Sequence, residues 1–144
     1  MLVNASIWIS ALVAAKCCFL MPGPAQASLA AFLGYEFADF GSGVYHWSLD
    51  NYGSKDTPLF GKQIEGFQGH HTQPWTITHR DTSNNLAPVC TSTLPVLIGF
   101  GIYCDQPFVL VWALSAITFI NLSQELHKWS HSHPDDLNPI IKKL

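Results

Sequence analysis

Residues 94–122 read LPVLIGFGIYCDQPFVLVWALSAITFINL, and this stretch decides the class of fold. It contains two apolar runs, residues 94–103 and 107–122, with only Cys104-Asp105-Gln106 between them. A helix needs about 20 apolar residues to cross a bilayer, so each run is short on its own. The runs must therefore take in flanking residues or form a tight or re-entrant hairpin. We expect a helical hairpin within a membrane.

The amino-terminal segment, residues 1–21, is also apolar, with Lys16 as its one charged side chain. A signal peptide carries its basic residues at the start, whereas Lys16 stands near the end of this segment. We therefore predict a retained membrane span, although the small residues at 22–27 would also suit a cleavage site. Pro22-Gly23-Pro24 cannot continue a helix and predicts a turn after this span.

A second amino-terminal span is predicted for residues 28–40. It is long enough to cross a bilayer only if the helix continues through Gly41-Ser42-Gly43 toward His46. Ser42 and Gly43 would then let a neighbouring helix approach closely, as small residues do in membrane bundles. The expected fold is an all-α integral membrane domain with about four apolar helices and a polar, histidine-rich surface segment. Its parts are the amino-terminal helices (residues 1–40), the polar segment (41–93), the hairpin (94–122) and a final helix with two histidines (123–144).

The composition supports a membrane protein and excludes a nucleic-acid-binding one. Hydrophobic residues make up 48% of the 144 residues and charged residues 12%, about half the charged fraction of an ordinary soluble domain. The 7 basic residues form no run and the net charge is -3, so there is no basic stripe for a phosphate backbone. The 4 cysteines show no CxxC pairing, and we interpret them as small packing residues.

The basic residues also predict the orientation of the helices. Because basic residues collect on the cytosolic or equivalent side of a membrane, the polar segment and the end of the chain should share one face. The basic residues in these two regions are Lys55, Lys62, Arg80, Lys128, Lys142 and Lys143. All 7 histidines lie in the same two regions or at their edges: His46, His70, His71, His79, His127, His131 and His133.

Five of these histidines have the arrangement of metal ligands. His127 and His131 are four residues apart on a predicted helix and so project from one face. The vicinal pair His70-His71 supplies ligands in different directions, which permits one to each of two metals. His46 comes where the second span meets the same surface. Each pattern is common without a metal, but their combination on one face predicts a metal site. Imidazole binds Zn, Cu, Fe and Ni alike, so ligand type leaves the metal open.

Compound motifs around these histidines resemble the Kua-type lipid desaturase domain family. Residues 39–53, DFGSGVYHWSLDNYG, are similar to its D-x-x-S-G-x-x-H-W-x-x-D-x-x-G signature. The family order continues with PLFG at 58–61, FQGHH at 67–71, PWTIT at 74–78 and QELHKWSH at 124–131. The resemblance covers about residues 34–143. NNL at 84–86 and GHH at 69–71 look like the plastid branch, which desaturates the palmitoyl chain of phosphatidylglycerol. HKWSH at 127–131 also looks like the ether-lipid branch, the plasmanylethanolamine desaturases.

The resemblance implies a non-haem di-iron enzyme that uses O2 to remove hydrogen from an unactivated carbon near a lipid head group. It implies a phospholipid substrate, with phosphatidylglycerol palmitate favoured, and an external electron donor such as a ferredoxin or a cytochrome b5. A plastid membrane is the expected location and the endoplasmic reticulum the alternative. The family continues past the end of this chain into a further histidine-rich stretch, so we expect a fragment with an incomplete ligand set. The positions that match family ligands are His46, His70, His71, His127 and His131.

Three carboxylates are candidates to support these ligands. Asp39 and Asp50 bracket His46, and a carboxylate can hold a ligating imidazole by its second nitrogen. Their alternative role is solvation of a helix end. Glu125, next to His127, is a weaker candidate because adjacent helical positions point about 100° apart.

The remaining histidines and the tryptophans receive other assignments. His79 stands beside Arg80, at a point where the relatives differ in the order of their basic residues and histidines. It is a further candidate ligand outside the matched set. His133 has no partner in the family pattern and is interpreted as a surface residue. Aromatic side chains with a polar group collect at the lipid interface, and we expect this position for Trp47, Trp75 and Trp129. The alternative is that these tryptophans line the substrate site.

Two other functions fit the same residues. A membrane zinc hydrolase would use the histidines to activate water. A non-enzymatic or inactive member would keep the histidine cluster without catalysis. Iron with O2-dependent turnover distinguishes the desaturase from the hydrolase, since zinc is redox-inactive.

Overall fold

The computed structural model describes residues 1–20 and 23–138. This part of the chain is all-α, as predicted, and contains no strand. Two of the basic residues used to predict the orientation of the helices lie outside the described residues, namely Lys142 and Lys143. The α-helices are α1 (Leu2–Leu20), α2 (Pro24–Asn51), α3 (Gly61–Thr72), α4 (Thr82–Tyr103) and α5 (Pro107–Ser130), with short 3-10 helices at Pro74–His79 and Pro134–Asp136.

α5 is the central helix, because α1, α2 and α4 all pack against it. Its Leu110 and Ile117 form a buried core with Leu97 of α4 and with Val13 and Cys17 of α1. In a lipid environment such a core is held by van der Waals packing rather than by exclusion of water. The interpretation of Cys17 as a packing residue agrees with its position in this core.

Lys16 shows how α1 carries a charge inside an apolar helix. Its Nζ donates hydrogen bonds to the carbonyl oxygens of Gly101 and Cys104, each at 2.9 Å, and pairs with Asp105 Oδ1 at 2.9 Å. These carbonyls belong to the end of α4, where intrahelical donors are missing and the helix dipole favours a cation. The long side chain therefore reaches the polar turn between α4 and α5 while its stem stays among apolar residues.

α2 runs parallel to α5 and packs closely against it at Gly34. A Cβ at this position would overlap the Trp112 carbonyl oxygen and the Ser115 side chain of α5. Ser115 Oγ also donates a hydrogen bond to the Ala31 carbonyl at 2.7 Å. The absence of a side chain at Gly34 therefore allows the backbones of the two helices to approach.

The predicted continuation of α2 through Gly41, Ser42 and Gly43 is confirmed, and the helix reaches 28 residues. The expectation that Ser42 and Gly43 provide the close helix contact is wrong. Gly43 is exposed and nothing lies within 4 Å of the position its Cβ would take. The close contact lies at Gly34, more than two helical turns earlier.

The predicted helical hairpin is confirmed, since α4 and α5 are joined by residues 104–106 and pack together. α4 begins at Thr82 instead of near residue 94, so it includes a polar stretch that the sequence predicts to lie outside the membrane helices. The hydroxyls of Thr91 and Thr93 donate to carbonyls four residues earlier, which satisfies them within the helix.

Three helices are long and apolar enough to cross a membrane, namely α1, α4 and α5. The prediction gave about four apolar helices, and three reach the length and apolarity of a span within the described residues. α2 has the length of a span, but polar residues such as Gln26, Glu36 and Asp39 lower its apolar character. The carboxyl-terminal ends of α2 and α5 and the start of α4 lie together, and α3 with the first 3-10 helix packs at this end.

Candidate metal centre

Three helix ends bring together six side chains of types that can bind a metal ion. α2 contributes residues from its last turns, α3 from its last turn, and α5 from its last turn and its C-cap. Within the described residues they form two groups whose donor atoms lie within 4.8 Å of one another. The three-histidine group consists of His70, His127 and His131, and the mixed group consists of His46, Asp50 and His71.

α3 is held against α2 by side-chain hydrogen bonds that place His70 and His71 over the end of α2. Tyr45 donates to Gln63 Oε1 at 2.6 Å, and Gln68 Nε2 donates to the Leu49 carbonyl at 3.2 Å. Gly53 allows the chain to turn between the two helices, because its φ of 82° is strained for other residues.

In the three-histidine group, three Nε2 atoms converge. His70 Nε2 lies 2.9 Å from His127 Nε2 and 3.2 Å from His131 Nε2. A ring nitrogen has either one N–H or one lone pair, so His70 Nε2 can make a well-directed hydrogen bond to only one of these two partners. Nitrogens about 2.0–2.1 Å from a tetrahedral metal ion stand about 3.3 Å apart. The observed spacing therefore suits a shared cation.

In the mixed group, Asp50 lies between two imidazoles. His71 Nε2 is 2.9 Å from Asp50 Oδ1, and His46 Nε2 is 3.3 Å from Asp50 Oδ2. The first distance is that of a hydrogen bond, yet Oδ1 is buried and accepts no hydrogen bond from any described residue. The short distance alone does not make a hydrogen bond, because an N–H that points elsewhere does not satisfy a nearby oxygen. The ring of His71 is therefore close to Oδ1 without donating a hydrogen bond to it.

The vicinal pair is divided between the two groups. The ring centroids of His70 and His71 are 6.3 Å apart, and His46 and His127 approach across the groups to 6.1 Å. In two-metal sites the ions stand about 3.5–4 Å apart, so rings at these separations leave room for two neighbouring cations. The geometry is compatible with the predicted use of this pair by two metals.

The surroundings of His70 favour its neutral form. Burial lowers the pKa of His70 below its usual value of 6.5, and the neighbouring His131, His71 and His46 lower it further, whereas Asp50 acts in the opposite direction. A neutral imidazole has the free lone pair that a metal ion requires. The cluster thus holds His70 ready to bind a metal at neutral pH.

Glu125 faces α4 and contacts neither metal-binding group. Its side chain is buried, and Asn85 Nδ2 donates to Oε2 at 3.0 Å. Thr82 Oγ1 donates to Oε1 at 2.8 Å, and Lys128 Nζ lies 3.3 Å from the same oxygen. This network joins the start of α4 to the turn of α5 that carries His127. Glu125 therefore orients the helix and does not hold an imidazole.

Two sequence candidates, Asp39 and His79, lie outside both groups, as does His133, which was assigned to the surface. Asp39 is exposed and precedes His46 by two helical turns, about 10 Å, so it does not reach that ring. His79 is exposed at the end of the first 3-10 helix. His133 caps the second 3-10 helix by accepting from Asp135 N at 3.2 Å, which agrees with its interpretation as a surface residue.

Sequence reasoning did not identify Thr82 and Asn85 as supports of the centre. A usable signal was present, because a glutamate inside a long apolar helix needs buried donors. Asn85 of α4 is such a donor, and it is buried like Glu125 of α5.

An apolar groove of about 180 Å³ runs along α5 between α2 and α4. Its floor is formed by Ala113, Ala116, Ile117 and Ile120 of α5, and its walls include Phe37 of α2 and Phe100 of α4. His127 follows Ile120 by seven residues and therefore lies on the same face of α5, about 10 Å further along. The metal-binding groups therefore lie beyond the Ile120 end of the groove.

Comparison with known proteins supplies independent information. The family described as "Lipid desaturase domain" matches residues 35–144. Fatty acid desaturase 4, chloroplastic, of Arabidopsis thaliana is 45% identical over 123 residues, covering 83% of this chain and 37% of that protein. Fatty acid desaturase 4-like 1, chloroplastic, of the same plant is 40% identical over 119 residues, covering 83% of this chain and 40% of that protein.

A relative from an animal is also similar. Plasmanylethanolamine desaturase 1 of Mus musculus is 33% identical over 106 residues, covering 67% of this chain and 39% of that protein. The chain spans about two fifths of the length of these three relatives. No solved structure matches the chain.

Proposed function

Because the chain belongs to the lipid desaturase domain family, we propose that it is a membrane-bound lipid desaturase. The proposed substrate is the palmitoyl chain of phosphatidylglycerol, with an ether-lipid alkyl chain as the related alternative. The observation that supports this function best is the position of the two metal-binding groups beyond one end of an apolar groove between membrane-length helices. Such a site can hold an alkyl chain beside a redox-active metal.

The proposed cofactor is a pair of iron ions. The converging Nε2 atoms and the buried Oδ1 of Asp50 without a donor are donor atoms of the kind that fits such ions. Bound iron would supply the redox chemistry for O2, which zinc cannot. The histidines proposed as ligands are His46, His70, His71, His127 and His131.

The reaction has a fixed balance of atoms and electrons. Two neighbouring carbons of the lipid chain lose one hydrogen atom each and form a double bond. O2 takes up these two hydrogens, two further protons and two electrons, and leaves as two molecules of water. We propose a ferredoxin as the electron donor in a plastid membrane, and a cytochrome b5 if the protein resides in the endoplasmic reticulum.

The groove on α5 is the proposed site for the lipid chain. Ile120 and Ala116 lie deeper than His127 along α5, so they would contact the distal part of the chain. The carbons close to the head group would then stand at the level of the histidines. This arrangement favours a double bond near the head group, because only the proximal carbons reach the ligands.

The same metal-binding groups also suit a zinc hydrolase, since imidazole and carboxylate are both zinc ligands. The two functions differ in their metal and in their need for O2. Metal analysis of the purified protein, with lipid turnover measured in the presence and absence of O2, separates them.

The test of function is a lipid profile of a host that lacks this desaturation and expresses the chain. Because the resemblance implies a further histidine-rich stretch, the chain is expressed with that stretch joined to its end. We expect new unsaturated phosphatidylglycerol from this extended wild type and from its His133→Ala variant, which changes a histidine outside both groups. His127→Ala should insert normally in the membrane but form no product. Normal lipid product from His127→Ala would contradict the proposed site, and its absence from all variants would contradict the proposed activity.

A further inference from the structure

We infer, building on the proposed iron-dependent function, that Asp50 is itself a metal ligand, so that the two metal positions have different donor sets. One position is held by three imidazole nitrogens, from His70, His127 and His131. The other is held by one carboxylate and two imidazoles, from Asp50, His46 and His71. Sequence reasoning gave Asp50 only a supporting role behind an imidazole.

The lack of a hydrogen bond to Asp50 Oδ1 distinguishes a metal ligand from a carboxylate that only supports a ligating imidazole. A supporting carboxylate accepts a hydrogen bond from the imidazole N–H that is not bound to metal. Asp50 Oδ1 accepts none from the described residues, although His71 Nε2 is only 2.9 Å away. A buried carboxylate oxygen without donor or cation is unfavourable. A metal ion between Oδ1 and Nε2 removes this deficit, because each atom then directs a lone pair at the ion.

The distances in the mixed group agree with a common ion. Ligand atoms about 2.0–2.2 Å from a metal ion stand about 2.9–3.5 Å apart, depending on its geometry. The two contacts of Asp50, at 2.9 Å to His71 and 3.3 Å to His46, fall in this range. His46 and Asp50 are one turn apart on α2, so the helix fixes two of the three donors.

The charge of Asp50 is also available to a metal ion. It pairs with His46 and His71, and within residues 1–20 and 23–138 no lysine or arginine pairs with it. A carboxylate oxygen is a harder donor than imidazole nitrogen, so the mixed position favours a harder ion than the three-histidine position. The two metal positions are therefore chemically distinct.

The first experiment counts metal ions in the purified full chain. Wild type and variants are loaded with iron(II) without O2, and bound iron is measured by mass spectrometry. The control is Asp39→Asn, an exposed aspartate on the same helix, about three turns from Asp50. We expect about two ions per chain for the wild type and Asp39→Asn, and about one for Asp50→Asn. Two ions held by Asp50→Asn with wild-type affinity would overturn the assignment.

A second experiment gives a positive signal and does not depend on metal loss. In Asp50→Cys, a thiolate replaces the carboxylate, and bound cobalt(II) should then show a thiolate charge-transfer absorption band. The wild type and Asp39→Cys, which have the same native cysteines, should lack this band. Cobalt bound to Asp50→Cys without the band would show that position 50 is not coordinated.

These outcomes are distinguishable from failure of the proposed function. A wild type that binds two zinc ions and no iron contradicts the desaturase, whereas the cobalt band still decides whether Asp50 is a ligand. A wild type that binds two iron ions while Asp50→Asn does the same contradicts only the role of Asp50. A wild type that binds no metal contradicts both.

Discussion

Asn85 and Glu125 are 40 residues apart in sequence and both buried, and Asn85 Nδ2 donates to Glu125 Oε2 at 3.0 Å. Their contact joins α4 to the part of α5 that carries His127 and His131. The orientation of these two histidines thus depends on a pair that touches neither of them.

Asn85→Ala should weaken this link, because it leaves a buried carboxylate short of a donor. We expect a loss of about 1–3 kcal/mol in stability and a weaker hold on metal. Thermal unfolding in detergent and iron titration measure the two effects. Asn84→Ala is the control, since Asn84 is exposed one residue earlier. Equal behaviour of the two variants would mean that the pair does not orient α5.

Gly34→Ala should separate α2 from α5, because the added Cβ would overlap the Trp112 carbonyl oxygen. Overpacking of this kind costs about 1–3 kcal/mol. It should also increase the distance between His46 and His127 and reduce metal binding. Gly43→Ala, where the space is open, should be neutral or stabilise by about 0.5–1 kcal/mol. Thermal unfolding of both variants tests this contrast, and a harmless Gly34→Ala would argue against the close contact.

Ile120→Phe should shorten the groove without touching a metal-binding group. The product from long acyl chains should fall several-fold, while iron content stays at the wild-type level. Leu122→Phe adds the same ring on an exposed part of α5 and should leave the product unchanged. Product analysis with lipids of two chain lengths makes the comparison. Equal losses in both variants would remove the groove from the substrate site.

The side of the membrane can be tested with single cysteines in a background without the native ones. Thr72→Cys and Asn138→Cys should react with an impermeant reagent from the same side, because both lie at the end that carries the histidines. Gln106→Cys, in the turn between α4 and α5, should react from the other side. Labelling of Thr72→Cys and Asn138→Cys from opposite sides would exclude a single metal centre.

The lowered pKa of His70 predicts a pH dependence of stability in the metal-free protein. Above about pH 6.5, His70 is neutral in both the folded and the unfolded chain. Below that value the unfolded chain takes up the proton first, so stability falls until the pH reaches the lower pKa of the folded state. We expect the melting temperature to fall between about pH 7 and pH 5, and to fall less in His70→Gln. An equal fall in His70→Gln would assign the effect to other groups.

The family resemblance drawn from the motifs is confirmed by the match over residues 35–144. The helical hairpin and the length of α2 were also predictable, because they follow from apolar runs and from proline positions. The start of α4 was not, because Thr91 and Thr93 lower its apolarity in sequence while their hydroxyls bond within the helix.

Spacing along the chain predicted which histidines share a helix face, but not which partners they meet. The division of His70 and His71 between two groups was suggested by their adjacency, whereas the contact of Asp50 with His71 depends on how α3 packs on α2. Gly34 could not be told from Gly43 by sequence, because only the neighbouring helix distinguishes them. Long-range packing therefore supplied what the local patterns could not.

The convergence of α2, α3 and α5 on the metal-binding groups has an electrostatic consequence. Each of these helices ends there with its carboxyl terminus, which carries roughly half a negative elementary charge from the aligned peptide dipoles. The amino terminus of α4 lies at the same end with the opposite partial charge, so three negative helix ends stand against one positive end. On balance the backbone therefore makes this end of the bundle attractive to cations and repulsive to anions. A phosphate head group would be kept to the side of the centre, while an uncharged hydrocarbon chain passes without this penalty.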